Sequence, residues 1–358
     1  MRLRLLQAAG ALKRQREVPP TPRRILVIRP DHLGDLILAA PAVAALRDAF
    51  PSAGLTAWIG PWGEPAWRHH AALDAIEVCP FPGFTRAGKP NPLSPYIRAR
   101  REARSLAGRF DVALNLRFDF WWGAMVARWA GIPVVGYDLP ECRPFLSLAV
   151  PYEAGRHETD QSLRLVEALA GGPVAPSEKW PLFPEVEPDQ GLPSGAIAIH
   201  PGAGAEVKLW DEAGWVQVAG ELSRDGPIVF TAGTKQELAS VERIRAAMPA
   251  PAEIGTDLSL PQLAAFYRRC RLVLGPDNGP LHLARYVGTP TVTLFGPTDP
   301  RLFGPRPPGS ADHEVVRLPW RCIPCGRLDY KPAELSYHLC VRLIEPEQVI
   351  EAARRVLA

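Results

Sequence analysis

Residues 25–35 read Ile-Leu-Val-Ile-Arg-Pro-Asp-His-Leu-Gly-Asp. Ile25 to Ile28 form a continuous apolar run with no polar alternation. A parallel strand buried on both faces reads that way. The turn Arg29–Gly34 follows it. From Asp35 to Phe50 the apolar residues recur at helical spacing, and Pro51 closes the helix. A strand, a turn and a helix in that order open a βαβ unit, so the stretch predicts a doubly wound α/β fold with a parallel sheet.

The same alternation extends outward along the chain. Strands are expected at 55–59, 75–78, 112–116 and 133–136, and helices at 94–106, 121–130 and 158–170. Residues 173–194 are rich in proline and acids and have little periodicity, as linkers do. A second half then restarts with strands at 196–199, 228–231, 271–274 and 291–295, separated by helices at 211–222, 236–247, 261–267 and 280–287. The expected organisation is a basic N-terminal lead over 1–22 and a first Rossmann-like domain over 23–180. A linker over 181–194 leads to a second such domain over 195–345, and a C-terminal helix covers 346–358. Open α/β sheets bind ligands at the carboxyl ends of their strands, which places the site in a cleft between the two domains.

The composition narrows the classes. The chain has 358 residues, 47% hydrophobic and 22% charged, with a net charge of +3. That suits a globular protein and gives no ground for nucleic acid as a partner. No run of about 18 apolar residues is present, so no spanning helix is expected. The N-terminus does not read as a secretory signal, because its apolar stretch is broken by Gln7, Lys13 and Arg14. Six cysteines without such a signal point to a reducing cytoplasm. Basic residues cluster at Arg2, Arg4, Lys13, Arg14 and Arg16, and again at Arg98, Arg100, Arg101 and Arg104. Two readings fit these clusters: solvated helix faces, or attraction to an anionic membrane surface or acceptor.

Four segments could carry chemistry. Asp35 stands at a strand–turn–helix junction after Gly34. It reads either as a first-turn acid favoured by the helix dipole or as a general base. His200-Pro201-Gly202-Ala203-Gly204-Ala205 precedes Lys208 and Trp210. The small residues at Gly202, Ala203, Gly204 and Ala205 free backbone N–H groups for an anion, and Lys208 can place charge on a diphosphate. Neither a P-loop nor a dinucleotide fingerprint is present, which sets an oxidoreductase last. Asp277-Asn278-Gly279-Pro280-Leu281-His282 starts a helix whose N–H groups would face the ligand. Phe295-Gly296-Pro297-Thr298-Asp299-Pro300 is a loop at a strand exit.

In this order and spacing, the four segments resemble glycosyltransferase family 9, the heptosyltransferases of lipopolysaccharide assembly. The resemblance covers roughly residues 24–357 and implies the GT-B architecture, two Rossmann-like domains facing across a cleft. It makes the first domain the acceptor side and the second the nucleotide-sugar side, with the final helix crossing back to the first domain. It implies an inverting transfer that needs no cofactor or metal, from ADP-heptose to a lipopolysaccharide core acceptor. By position, Asp35 becomes the base and Lys208 the lysine at the donor phosphates. Gly34, Gly202–Ala205, Asp277, Asn278, Gly279 and His282 become donor-binding residues. Asn278 stands where the family more often has Thr or Ser. No Asp-X-Asp metal pair appears. The implied location is cytoplasmic, with the inner-membrane surface as a further partner. Two alternatives remain: an autotransporter protein heptosyltransferase, and a nucleotide-sugar-binding scaffold without catalysis.

Cys322-Ile323-Pro324-Cys325, His338 and Cys340 admit three readings: a reduced structural loop, a tetrahedral metal site, or a disulfide. The autotransporter subgroup resembling this family carries a metal finger of four cysteines, and this segment offers three. The metal-free loop is the reading adopted. Cys79, Cys142 and Cys270 read as single buried residues.

Overall fold

The computed structural model describes residues 2–11, 16–84, 93–177, 179–187 and 191–358. The opening apolar run becomes β1 (Arg24–Arg29), and its five residues after Arg24 are all buried. β1 lies between β2 (Gly54–Ile59) and β4 (Val112–Asn115), both parallel to it, with Val27 opposite Ala57 on one side and Leu114 on the other. β3 (Ala75–Val78), β5 (Val134–Tyr137) and β6 (Leu148–Val150) complete a sheet of order β3-β2-β1-β4-β5-β6. Apolar continuity decides which strand is central. The edge strands β3 and β6 keep exposed residues, whereas every residue of β4 and β5 is buried.

The second half repeats this winding. β7 (Ile197–Ile199), β8 (Ile228–Thr231), β9 (Glu253–Gly255), β10 (Leu272–Pro276), β11 (Thr291–Leu294) and β12 (His313–Val316) pair in the order β12-β11-β10-β7-β8-β9, all parallel. Counted from its own first strand, each sheet has the 3-2-1-4-5-6 order of the doubly wound dinucleotide-binding fold. In each sheet the order reverses beside the first strand, at β1/β4 and at β7/β10. The carboxyl ends there are where side chains from two separate segments can meet.

The first unit spans Met1–Pro184 and the second Glu185–Ala358. The break falls inside the expected linker, though the linker is shorter than expected. Leu182 and Phe183 are buried, and the Ala71 N–H donates to the Pro181 carbonyl at 3.0 Å, so residues 181–184 belong to the first unit. Leu192 is buried beside Gly255 in the second unit. Residues 188–190 lie outside the described residues, as do Lys13 and Arg14 of the basic lead. That lead begins as a helix, Arg2–Ala11, which buries Leu6 in the first core.

Aromatic packing fills the first core: Trp58 meets Phe81 edge-on at 4.9 Å and stacks on Trp122 at 5.9 Å. Such pairs contribute about 0.5–1.5 kcal/mol each beyond their area. In the second core Trp210 and Trp215 meet edge-on at 4.8 Å, and Trp210 donates to the Ile344 carbonyl at 3.0 Å. The C-terminal helix, Pro346–Leu357, buries Val349, Ile350, Ala352 and Ala353 in the second core, and Gln217 donates to its Glu347 at 2.7 Å. Its apolar stripe matches the surface left by β11, β12 and the Glu212–Leu222 helix.

β10 passes so close to the end of β7 that a Cβ on Gly275 would stand 2.5 Å from the His200 carbonyl oxygen and from Leu281. Backbone cannot yield there as a flexible side chain would. Gly275→Ala should therefore lower stability by on the order of 1–3 kcal/mol, read as a fall in the urea midpoint. An unchanged midpoint would show that the two strand ends are looser than described.

Candidate active site

In the first unit the site grows from the end of β1. Arg29 is buried, with its side chain 2% exposed. A buried guanidinium must be neutralised. Its Nε lies 2.7 Å from the Asp31 carboxylate, one terminal nitrogen donates to the Leu116 carbonyl at 3.0 Å, and the other donates to Glu158 at 3.2 Å. Arg117, just past β4, pairs with Asp31 and with Asp119. Turn, strand end and the Glu158–Ala170 helix are thereby tied together.

Asp35 completes the cluster 3.7 Å from Arg29 and keeps 31% of its side chain exposed, far more than Asp31 or Glu158. It sits in the first turn of the Leu33–Ala49 helix, whose N-cap His32 provides no side-chain cap. Two cations, Arg29 and Arg117, face four carboxylates, Asp31, Asp35, Asp119 and Glu158, so the carboxylates are not all compensated. Burial, then the Asp31 charge, pushes the Asp35 carboxyl up to about 7, although Arg29 and Arg117 pull the other way. A carboxyl poised there can take or release a proton near neutral pH.

In the second unit a buried anion plays the matching part. Asp277, at the end of β10, is 2% exposed. Its Oδ2 accepts from Lys208 at 2.7 Å and from the Thr298 hydroxyl at 2.7 Å, and its carbonyl accepts from Lys208 at 3.1 Å. His282 Nε2 lies 3.4 Å from Oδ1, which has no shorter partner. Burial opposes ionisation of Asp277, but Lys208 and His282 outweigh it and hold the carboxyl well below its usual range. Burial, with Arg285 beside it, pushes His282 down to about 4. Arg285 donates to Nδ1 of His282 at 2.5 Å, so the neutral ring carries its proton on Nε2, facing Asp277.

Of the expected donor residues, Lys208, Asp277, Asn278, His282 and the Gly202–Ala205 turn meet in the second unit, and Gly34 stands in the first. Oδ2 of Asp277 fixes Lys208 within the protein. Two of the three lysine protons are taken, which leaves one for a ligand. The start of the Gly279–Tyr286 helix also offers fewer amide donors than expected. Pro280 has no N–H, and the Asn278 side chain accepts from the Leu281 N–H at 2.9 Å. Asn278 Nδ2 donates to the Gly202 carbonyl at 2.6 Å, which joins the helix start to the Gly202–Ala205 turn. Beside it, His200 contacts Thr231 at 3.1 Å, and Thr231 contacts Tyr267 at 3.0 Å.

Sequence reasoning gave no role to Arg29, Asp31 or Thr298, which lie in segments it singled out, and passed over Arg117, Glu158 and Arg285. A charged pair directly after a fully apolar strand was the signal for Arg29 and Asp31. Arg117 and Glu158 gave none, because only the fold brings them to β1.

Cys322 and Cys325 are exposed and Cys340 is buried. The His338 ring lies on Tyr330 at 3.7 Å. Cys322, Cys325, His338 and Cys340 line one pocket with Tyr330 and Trp320, and among the described residues no three His, Cys, Asp or Glu side chains are gathered to hold a metal ion. Cys79, Cys142 and Cys270 are buried, as expected.

The model of glycosyltransferase family 9 (heptosyltransferase) matches residues 99–331. The chain belongs to glycosyltransferase family 9. Family membership makes it a glycosyltransferase, and the matched span contains the Lys208–Asp277 site. Asp35 lies before that span, and longer relatives reach it. Lipopolysaccharide heptosyltransferase 1 of Pseudomonas aeruginosa is 28% identical over 91% of this chain and 96% of its own. The match to lipooligosaccharide heptosyltransferase 2 of Campylobacter jejuni, 28% identical, takes in 45% of this chain and spans only about half (50%) of that relative's length. Among solved structures, the Escherichia coli ADP-heptose lps heptosyltransferase II has a TM-score of 0.67 at 20% identity, covering 93% of this chain and 98% of that one. At that identity the likeness carries the fold, the two Rossmann-like units of the GT-B architecture.

The raised Asp35 carboxyl has a consequence for stability. The folded protein keeps the proton up to about 7, whereas the unfolded chain releases it near 3.8. Stability tied to this group is complete below the unfolded value and is lost as pH rises through the folded one. Asp35→Asn lacks that loss, so its urea midpoint should gain on the wild type between about pH 5 and about pH 8. A difference that stays constant with pH would show an ordinary carboxyl.

Proposed function

We propose that the chain transfers heptose from ADP-heptose to a lipopolysaccharide core acceptor by a single inverting displacement that uses no metal ion. The observation that carries this reading is the half-exposed Asp35 carboxyl, pushed up to about 7 at the carboxyl end of β1. The names of the relatives, lipopolysaccharide and lipooligosaccharide heptosyltransferases, support the donor and the acceptor class.

Asp35, ionised, takes the proton of the acceptor hydroxyl. The hydroxyl oxygen forms its bond to the anomeric carbon. The bond from that carbon to the diphosphate oxygen breaks, and ADP leaves with the electron pair. One displacement inverts the anomeric centre. The departing charge falls to the remaining proton of Lys208 and to backbone N–H groups of Gly202–Ala205 and Gly279. Asp277 and Thr298 act as positioning residues, and His282 stays neutral between Asp277 and Arg285. The acceptor is lipid-linked, which places the work at the cytoplasmic surface of the inner membrane.

Calorimetry with ADP, UDP and GDP in the presence of EDTA tests the donor half. ADP should bind selectively without metal; preference for UDP or GDP would overturn the donor. Asp35→Asn should cut transfer by about 10²–10⁴-fold with ADP affinity nearly intact. Lys208→Ala should weaken ADP binding and slow transfer together. Near-normal turnover of Asp35→Asn would sink the base assignment, and wild-type ADP binding without any transfer would favour a scaffold.

A further inference from the structure

Among the described residues ten large apolar side chains are exposed, and five of them stand on or beside two helices of the first unit. Leu3 and Leu5 belong to the Arg2–Ala11 helix; Leu93, Tyr96 and Ile97 begin the Ser94–Leu106 helix. Leu5 is 64% exposed and Ile97 65%.

The two helices share one layer. Both pack on the Trp121–Trp129 helix. Trp122 donates to the Pro95 carbonyl and Trp129 to the Ala9 carbonyl, each at 3.0 Å. Leu6, Ala99 and Ala103 enter the same core cluster. Their other faces therefore look outward on one side of the first sheet. On the Ser94–Leu106 helix, Ala99, Ala103 and Leu106 are buried, and Leu93, Ile97, Arg100 and Arg104 fall on the opposite stripe by helical spacing. The helix carries one acid, Glu102, which pairs with Arg101 at 3.0 Å. A groove of about 470 Å³ runs beside the Arg2–Ala11 helix, lined by Leu3, Gln7, Arg128 and Arg143 among others.

Exposed aliphatic tips set among arginines, with little acid, suit a helix lying in a bilayer interface. The core of a protein interface is instead depleted of charge. No described helix is long and apolar enough to cross a membrane. We propose that this face docks on an anionic lipid bilayer, with Leu5 and Ile97 entering the headgroup layer and Arg4, Arg100 and Arg104 meeting lipid phosphates. The inference gives a surface to the membrane location proposed above and rests on that reading for its biological sense. The vesicle-binding assay uses no sugar nucleotide, so either can fail alone.

The full chain is sedimented with vesicles of phosphatidylglycerol and phosphatidylethanolamine, or of phosphatidylcholine. It should pellet with the first, less so as salt rises, and stay in solution with the second. The double variant Arg100→Gln/Arg104→Gln should weaken binding about 30-fold at low salt. Leu5→Ser/Ile97→Ser should weaken it about tenfold at unchanged charge. These side chains are exposed, so both variants should melt like the wild type. Absence of wild-type binding to the anionic vesicles, equal binding to both kinds, or binding unmoved in both variants overturns the proposal. Transfer to a delipidated, soluble acceptor should be the same for all three proteins. Loss of that transfer in the arginine variant, with vesicle binding intact, would make the face a saccharide site instead.

Discussion

A charge taken out of water at the end of a central parallel strand has to be neutralised by its surroundings, and each unit of this protein is organised around one. In the first unit it is the Arg29 guanidinium, which draws Asp31, Glu158 and the Leu116 carbonyl onto one side chain. In the second it is the Asp277 carboxylate, which draws in Lys208 and Thr298. The reversal of strand order beside the first strand brings Leu116 to Arg29 and Lys208 to Asp277, while Glu158 and Thr298 arrive from a later helix and a neighbouring strand exit. The fold supplies the meeting point, and the buried charge fixes what stands there.

Asp35 and Lys208 differ in how they relate to these centres. Asp35 lies at the rim of a cluster already holding Asp31 and Glu158, so its proton is retained by burial and by a neighbouring like charge. Lys208 is held from below by an anion that cannot protonate near neutral pH, and its ammonium is fixed in direction. The first arrangement yields an adjustable proton, the second an immobile cation. The proposed displacement would call on both, a base for the incoming hydroxyl and a fixed cation for the departing diphosphate.

Much of this was legible in the residues. Strands with continuous apolar runs, β1 and β10 among them, declared themselves by lacking alternation, and the Ser94–Leu106 helix was bounded correctly by its spacing. The strands that escaped notice, β6, β9 and β12, pair on one side only and are short; Glu253-Ile254-Gly255 has one apolar side chain and no period to read. The motif residues Asp35, Lys208 and Asp277 stand out in the sequence, but the pairing of Lys208 with Asp277 does not. Sequence can show that an acid follows a strand. It cannot show that a lysine 69 residues away will occupy that acid. Arg117 and Glu158 were silent for the same reason. The apolar stripe of the final helix says that it is buried but not which core takes it, and the second core does.

The pairing of Lys208 with Asp277 has one more consequence. A cation and an anion 2.7 Å apart form a dipole, and its field fades far faster with distance than that of a lone charge. A diphosphate arriving from solution would feel little guidance from Lys208 until it was nearly in contact, and ionic strength would alter its arrival rate only weakly.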